Sequence, residues 1–228
     1  MIRVTESLAQ VYRQVANAAE IANRQPGEIR VVAVSKRHNQ ASIEAAAAAG
    51  QRDFGENFVD EAVTKITALA DHRLCWHYIG AVQSNKTRLI ANHFDWVHTI
   101  DRHKIIDRLA TQRAETTAPL NVCLQVNIDA ESQKSGAAPD AMFELADAVA
   151  QRSTLRLRGL MCLPKVRTDL EAQRKPFALL RQLFDELRQT HPTLDTLSMG
   201  MSGDLQAAII EGSTLVRIGT AIFGPRPV

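Results

Sequence analysis

Short apolar runs alternate along the whole chain with segments whose apolar residues recur at helical spacing. The clearest run is Val31–Val34, which is followed at once by Ser35 and Lys36. An unbroken apolar run of this kind is typical of a strand that is buried on both faces. Residues 4–24, in contrast, repeat their apolar positions every three or four residues and predict a helix before this strand.

The same alternation of strand and helix repeats eight times. Strands are predicted at 31–36, 53–57, 76–80, 96–100, 121–128, 157–163, 197–202 and 215–224, and helices at 4–24, 42–50, 56–69, 84–93, 102–115, 139–151, 169–190 and 204–211. This pattern predicts an α/β fold, a single (β/α)₈ TIM barrel entered through an extra amino-terminal helix. A doubly wound open sheet is the alternative. No stretch has the composition of a linker, so we expect one domain over residues 1–228.

Composition narrows the class of protein. Of the 228 residues, 45% are hydrophobic and 23% charged, and the net charge of +2 gives no reason to expect nucleic acid or a membrane surface as a partner. Cys75, Cys123 and Cys162 lie far apart, which argues against disulfides and against a zinc site. The amino terminus lacks the pattern of a signal peptide, and no apolar run is long enough to span a membrane. We therefore expect a cytoplasmic protein.

Polar residues gather where the predicted strands end. Lys36 follows the first strand, Asn57 the second and Asn127 the fifth. In a barrel these ends converge on one mouth. Amides, hydroxyls and an amine without an acidic pair predict an anion-binding mouth. Lys36 itself has three interpretations: a charge for a phosphate, a nucleophilic amine, or a lysine that extends to water from the end of a strand.

The last two strands give the most specific signals. Ser202 and the pair Gly219–Thr220 follow strands seven and eight, where barrels commonly bind a phosphate. Arg217 lies in an otherwise apolar strand and faces the barrel interior by alternation. A buried guanidinium needs an acceptor, so Arg217 either forms an ion pair with a buried carboxylate or donates to a bound heterocycle or phosphate.

Other catalytic patterns are missing from the sequence. It contains no H-E-x-x-H, no G-x-S-x-G, no G-x-G-x-x-G after a strand and no Walker sequence. The spacing of the seven histidines does not indicate a metal site, and we expect them to be surface residues or hydrogen-bonded strand residues.

A lysine after strand one and phosphate donors after strands seven and eight describe a pyridoxal 5′-phosphate (PLP) site. In agreement, the chain resembles the YggS/PROSC family of pyridoxal phosphate homeostasis proteins from about residue 4 to residue 225. The motifs that carry the resemblance are Ala33–Lys36, Phe54–Asn57, His77–Gly80, Gln83–Lys86, Ser132–Gly136, Arg158–Met161, Leu197–Ser202 and Val216–Gly224.

The resemblance implies a fold and a set of roles. The fold is the single barrel of fold-type III PLP proteins, similar to the amino-terminal domain of alanine racemase. Lys36 corresponds to the lysine that binds PLP as a Schiff base, and Arg217 to the arginine that donates to the pyridine nitrogen. The resemblance places Asn57 and Met199 beside the cofactor ring and assigns Ser202, Gly219 and Thr220 to the phosphate. Lys134 is a candidate secondary amine.

The resemblance favours a PLP carrier over an enzyme. An arginine at the pyridine nitrogen keeps it unprotonated and weakens the cofactor as an electron sink. Racemases with such an arginine add a second base, with the help of a further domain, and neither Tyr12 nor Tyr78 is expected to be that base. We therefore expect a monomer without catalytic turnover that binds PLP, with PLP-dependent apoenzymes as possible recipients. The alternatives are a weak amino-acid racemase and, less favoured, a barrel lyase or aldolase that uses Lys36 as a Schiff base to a sugar phosphate.

Overall fold

Eight parallel strands close into a barrel in a computed structural model that describes residues 4–114, 117–131, 133 and 135–225. Each strand pairs with the next along the chain, and the last pairs with the first. The strands are β1 (Arg30–Val34), β2 (Asp53–Glu56), β3 (Cys75–Tyr78), β4 (Trp96–Ile100), β5 (Leu120–Val126), β6 (Leu155–Cys162), β7 (Thr196–Ser198) and β8 (Leu215–Ile218). The predicted TIM barrel is confirmed, and the open-sheet alternative is wrong.

Helices alternate with the strands. They are α1 (Val4–Ile21), α2 (Gln40–Ala48), α3 (Val59–Ala68), α4 (Thr87–His93), α5 (His103–Gln112), α6 (Met142–Ala150), α7 (Leu170–Thr190), α8 (Leu205–Ile210) and the single turn α9 (Thr220–Phe223). Short 3₁₀ turns lie at Pro26–Glu28, Ala70–His72 and Pro139–Ala141. The extra amino-terminal helix is present, and none of the described helices is long and apolar enough to cross a membrane.

Helix α1 joins the first and last units of the barrel. Its apolar stripe, which includes Leu8, Val11 and Val15, is buried, and the helix packs against α2, α8 and α9. The long helix α7 begins at Asp169, whose carboxylate accepts a hydrogen bond from the N–H of Ala172. Its predicted apolar face is also buried. The main apolar core therefore lies between strands and helices.

Seven of the eight strands end earlier than predicted, and the ends of three of them bear on the site. Strand β1 ends at Val34, so Lys36 lies in the turn that follows it. Strand β7 ends at Ser198, two residues before Gly200, whose φ of +98° belongs to a turn. Strand β8 ends at Ile218, and Thr220 begins the helical turn α9. The apolar residues 221–223, predicted as strand, are thus helical, because a short apolar run does not distinguish the two.

The barrel interior is polar along one line. His98 of β4 lies 2.8 Å, Nδ1 to Oγ, from Ser198 of β7. Because β4 and β7 are not neighbours in the sheet, this contact crosses the inside of the barrel. Trp96, Cys123 and Met161 form a separate small apolar cluster. Barrel interiors are usually filled by branched apolar residues, so a polar line is unusual.

Candidate functional site

A cavity of about 280 Å³ lies at the carboxyl ends of the strands, where barrel enzymes and cofactor proteins place their sites. Its size is near the lower end of small-molecule sites. It is half open to solvent and mixes apolar with polar side chains. The lining residues are Val34, Lys36, Asn57, Ile79, Met161, Leu163, Met201, Ser202, Gly203, Arg217, Gly219 and Thr220.

Six of the seven site residues predicted from the sequence line this cavity. They are Lys36, Asn57, Ser202, Arg217, Gly219 and Thr220. Met199 does not line it: its side chain is fully buried in the main apolar core. The chain turns at Gly200 immediately afterwards, so strand alternation cannot be extended across this point. Met161 and Met201 line the cavity instead, and neither was selected as a site residue from the sequence.

Lys36 is held by a turn whose backbone is bonded on both sides of it. The carbonyl of Ser35 accepts a hydrogen bond from Lys65 Nζ at 2.9 Å, and the N–H of Arg37 donates to the carboxylate of Glu61 at 2.6 Å. Arg37 has a φ of +64°, a conformation that only a fixed turn maintains in a non-glycine residue. The half-buried Lys36 side chain therefore starts from a defined position.

A buried ion pair lies beneath this turn. Lys65 Nζ is 2.8 Å from Glu56 Oε1 and 2.6 Å from Glu61 Oε1, and the hydroxyl of Ser35 donates to Glu56 Oε1 at 2.7 Å. The Glu56 side chain is 0% exposed and that of Lys65 8%. Burial raises the pKa of Glu56, while Lys65 and Ser35 act in the opposite direction. Lys65 could not be identified from the sequence, because its contacts with the Ser35 carbonyl and with Glu56 require the packing of α3.

Asn57 offers the cavity a polar atom that the described protein does not satisfy. Its side-chain oxygen is buried and has no hydrogen-bond partner among the described residues. A buried oxygen in this condition costs free energy unless a ligand or water donates to it. This orphan acceptor in the lining of the cavity is what a bound polar ligand would be expected to satisfy.

Arg217 is fixed by backbone and hydroxyl oxygens. Its Nη1 donates to the carbonyl and the hydroxyl of Ser198, both at 2.6 Å, and its Nη2 donates to the carbonyl of Cys162 at 2.9 Å. The side chain is 4% exposed, and burial lowers the pKa of the guanidinium. No ion pair with a carboxylate is found for it among the described residues. The described residues therefore give no support to the structural ion pair considered from the sequence, and the guanidinium keeps donors for a ligand.

The loop after β7 and the turn after β8 form the exposed side of the cavity. Asp204 Oδ1 accepts a hydrogen bond from the N–H of Met201 at 2.6 Å and closes the loop that carries Ser202. Gly219 packs closely on β1, since a Cβ there would lie 3.3 Å from the carbonyl oxygen of Val34. Ser202 and Thr220 are exposed, so their hydroxyls are accessible to an incoming anion.

Acid–base groups are few around the cavity. Among the described lining residues, only Lys36 and Arg217 are titratable. Tyr78 is buried elsewhere, donates its hydroxyl to the carbonyl of Ala81 at 3.1 Å, and burial raises its pKa to about 12. Tyr12 donates to the side chain of Gln51 at 2.9 Å. Lys134, the candidate secondary amine, lies outside the described residues.

The cysteines are all free thiols, as expected. Burial raises the pKa of both Cys123 and Cys162 to about 12. Cys75 lies at the amino end of the barrel, where its sulfur, Asp53 Oδ1 and His77 Nε2 are within 4.8 Å of one another. Here the imidazole and carboxylate hydrogen-bond each other, and a guanidinium nitrogen of Arg30 is 3.6 Å from Asp53. That the protein holds no metal stays a prediction.

Comparison with known proteins decides the family. Residues 7–227 match the family model of the alanine racemase N-terminal domain. The chain is 52% identical to a pyridoxal phosphate homeostasis protein of Pseudomonas aeruginosa, over 99% of this chain and 97% of the relative. It is 49% identical to the protein of the same name from Escherichia coli K12, over 98% and 97%. The chain belongs to the family of pyridoxal phosphate homeostasis proteins.

Solved structures of this family and of its distant relatives agree. PipY of Synechococcus elongatus PCC7942, solved with PLP bound, is 36% identical and superposes with a TM-score of 0.84 over 97% of this chain and 100% of PipY. An alanine racemase from Corynebacterium glutamicum is 16% identical, with a TM-score of 0.69 over 98% of this chain and 62% of the racemase. The second likeness shows a shared barrel fold. The resemblance stated from the sequence motifs is confirmed.

Proposed function

We propose that this protein binds PLP in the cavity at the barrel mouth and acts in intracellular PLP and amino-acid homeostasis, as a carrier without catalytic turnover. The observation that carries the proposal is that one cavity collects Lys36, Arg217 and the donors Ser202, Gly219 and Thr220 from the ends of β1, β7 and β8. The names of the curated relatives and the PLP-bound PipY support it.

The lining residues fit the cofactor group by group. Lys36 would supply the primary amine for a Schiff base with the cofactor's aldehyde. Arg217 donates toward the pyridine nitrogen and, because it does not give up its proton, leaves that nitrogen unprotonated. Asn57 presents its unsatisfied oxygen to the ring substituents. Ser202, Gly219 and Thr220 lie on the exposed side, where a phosphate keeps part of its hydration.

The absence of turnover is proposed from the donor set. When bound, PLP withdraws electrons from a carbon next to the amine, but the reaction needs a base to remove the proton there. Lys36 is the one group among the described lining residues that is able to act as such a base. Stereoinversion needs a second base on the opposite face of the substrate, and the described lining residues include no candidate for it. We also propose that the protein is a cytoplasmic monomer of one domain and that its partners are PLP-dependent apoenzymes.

The first test is the visible absorption spectrum of the purified protein, followed by borohydride reduction and peptide mapping. The proposal predicts a yellow protein and a reduced adduct on Lys36. Lys36→Ala should abolish the adduct, whereas Lys86→Ala, a change at a neighbouring loop outside the cavity, should not. A protein that stays colourless after incubation with PLP contradicts the proposal. Trapping that occurs only after a carbonyl substrate is added would favour a lyase or aldolase.

A weak racemase is the second candidate, because solved structures with the same barrel include racemases. It predicts that D-amino acids form from L-amino acids at a measurable rate and that Lys36→Ala stops their formation. Sustained turnover by the wild-type protein would replace the carrier proposal by this one, while binding of PLP without turnover supports the carrier.

A further inference from the structure

A chain of hydrogen bonds connects the cavity to the opposite end of the barrel. It starts at Arg217, whose Nη1 lies 2.6 Å from Ser198 Oγ. Ser198 Oγ lies 2.8 Å from His98 Nδ1, His98 Nε2 lies 2.9 Å from His77 Nδ1, and His77 Nε2 lies 3.0 Å from Asp53 Oδ1. Asp53 is the first residue of β2, at the amino end of the strands. We call Ser198, His98, His77 and Asp53 the relay.

The chemistry of its two ends sets the position of every proton in the relay. A guanidinium has donors and no acceptor, so Ser198 Oγ accepts from Arg217, but its second lone pair leaves the direction of its hydrogen bond with His98 open. The carboxylate of Asp53 decides that direction: it only accepts, so His77 carries its proton on Nε2 and, as a neutral imidazole, accepts at Nδ1. His98 therefore donates from Nε2 to His77 and accepts the hydroxyl proton of Ser198 at Nδ1. Only one tautomer of each histidine satisfies the whole chain.

Both histidines are neutral in this arrangement. They are 0% exposed, and burial lowers the pKa of His77 and lowers that of His98 well below its ordinary value. The positive charge of Arg217, which is separated from His98 by a single hydroxyl, adds to the effect of burial and opposes protonation of His98. The charged groups that act on the relay are Arg217 at one end and Asp53, Arg30 and Asp95 at the other. At that second end the Cys75 sulfur also lies 3.4 Å from His77 Nε2.

The order of the protons stabilises both ends of the relay. Each link turns its acceptor toward the Arg217 cation and its donor toward the Asp53 anion, so the dipoles of the hydroxyl and both imidazoles are aligned with the charges. Hydrogen bonds in such a chain polarise one another in a low-dielectric interior. A buried guanidinium that forms no ion pair within the described chain is thereby stabilised by a carboxylate several side chains away.

We propose that Ser198, His98 and His77 are positioning residues that fix the guanidinium of Arg217 in the cavity and transmit the charge of Asp53 to it. None of the relay residues lines the cavity. A purely structural role would leave the bound cofactor unchanged, whereas a positioning role changes its spectrum. The expected change in the cofactor spectrum rests on the proposed function of Arg217 at the pyridine nitrogen. The order of the protons in the relay does not depend on that function.

The proton order is tested by NMR of the imidazole nitrogens in the full-length ¹⁵N-labelled protein at neutral pH, with and without PLP. We expect both His77 and His98 to be neutral and protonated on Nε2. Ser198→Ala should perturb the Nδ1 resonance of His98 most strongly, because that nitrogen loses its donor. Protonation of either histidine on Nδ1, or an imidazolium, would overturn the relay whether or not the protein binds PLP.

The effect on the cofactor is tested with His98→Leu and His98→Gln. The leucine removes both hydrogen bonds, whereas the glutamine amide keeps an acceptor and a donor. We expect His98→Leu to shift the absorption maximum of bound PLP and to weaken binding by roughly 2- to 100-fold, the range of couplings between contacting residues. His98→Gln should restore much of both. His103→Leu, an exposed histidine on α5, is the control and should leave both unchanged.

The outcomes separate the two proposals. If wild-type protein binds no PLP while the tautomers are as expected, the proposed function fails and the relay stands. If PLP binds and His98→Leu, Ser198→Ala and the wild type share one spectrum and one affinity, the positioning role is wrong. Should His98→Leu fail to fold, Ser198→Ala and His98→Gln decide the question by the same two measurements.

Discussion

The buried pair of Lys65 and Glu56 allows a quantitative prediction about the turn that carries Lys36. Lys65→Met removes the ammonium and keeps most of the apolar stem. Glu56 Oε1 then retains only the hydroxyl of Ser35, and Glu56 Oε2 already has no partner among the described residues. The carbonyl of Ser35 also loses its donor. Breaking a buried pair on one side typically costs about 3–5 kcal/mol, because the remaining charge is uncompensated.

The protonation of Glu56 gives an independent value for this cost. In Lys65→Met the buried carboxyl escapes its charge by binding a proton. With an ordinary pKa of 4.5 in the unfolded chain, this costs about 1.4 kcal/mol for each pH unit above 4.5, or about 3.4 kcal/mol at pH 7. The two values agree. We therefore expect Lys65→Met to lower the free energy of unfolding at pH 7 by about 3 kcal/mol.

The sign of the pH dependence follows from linkage. Removing Lys65 raises the folded-state pKa of Glu56 further, since Lys65 opposes the effect of burial. A carboxyl whose pKa is raised on folding contributes stability below its unfolded pKa and loses it as the pH rises through its folded pKa. The deficit of Lys65→Met relative to wild type should therefore shrink by up to about 1.4 kcal/mol for each unit that the pH falls between 7 and 5, since the pKa of Glu56 is already raised in the wild type.

The assay is urea unfolding of the cofactor-free protein, because bound cofactor would add its own stabilisation. Lys65→Met is compared with Lys65→Met/Glu56→Gln, which removes the unpaired charge and should recover about 2 kcal/mol at pH 7. Lys86→Met, which breaks an exposed pair with Asp60, is the control and should cost about 1 kcal/mol or less. A deficit below about 1 kcal/mol, equal deficits at pH 5 and pH 7, or no recovery in the double variant would refute the reasoning.

Three further predictions concern the pH response and the cavity. Burial holds the pKa of His98 well below 6.5, so the folded protein binds fewer protons than the unfolded chain at mildly acidic pH. Its free energy of unfolding should therefore fall by up to about 1.4 kcal/mol for each pH unit below 6.5. Urea unfolding at pH 6.5 and 5.5 should show this loss in the wild type and a smaller loss in His98→Gln. Gly80→Ala places a Cβ against the backbone of Asn57 and should lower the free energy of unfolding by about 1–3 kcal/mol. It should also weaken PLP binding in a fluorescence titration, and unchanged binding would mean that the Asn57 backbone does not position the site. Thr220→Val should weaken binding of PLP by roughly tenfold and leave binding of pyridoxal nearly constant, since one hydrogen bond to a charged group is lost; equal losses for both ligands would place the phosphate elsewhere.

The parts of the site that follow from strand order could be predicted from the sequence. In a parallel barrel all carboxyl ends converge, so Lys36, Ser202, Gly219 and Thr220 had to meet once eight strands were recognised. Arg217 was identified by alternation within one apolar strand. These inferences need only the positions of the strands, and an error of a few residues at a strand end does not move a residue away from the mouth.

The parts that failed or were missed depend on packing between distant segments. Met199 was placed beside the cofactor by the family resemblance, but its side chain packs in the core and the chain turns at Gly200, whose φ is +98°. The contact of His98 with Ser198 joins residues that are 100 apart in the chain, across the barrel. Its detection requires the register of several strands. The histidines were expected to be surface residues or hydrogen-bonded strand residues, and His98 is a hydrogen-bonded strand residue. Spacing in the sequence does not reveal its partners.

The distribution of titratable groups favours a protein that holds its cofactor over one that turns it over. Catalysis by PLP needs groups near the reacting carbon that gain and lose protons at neutral pH. The histidines that could do this, His77 and His98, lie below the cavity, and each of their nitrogens is committed to a hydrogen bond in the relay. Moving a proton along it would place two donors or two acceptors face to face in a buried site. The same hydrogen bonds that fix Arg217 therefore withhold these imidazoles from acid–base chemistry, so a variant that frees an imidazole should lose affinity for the cofactor before it gains activity.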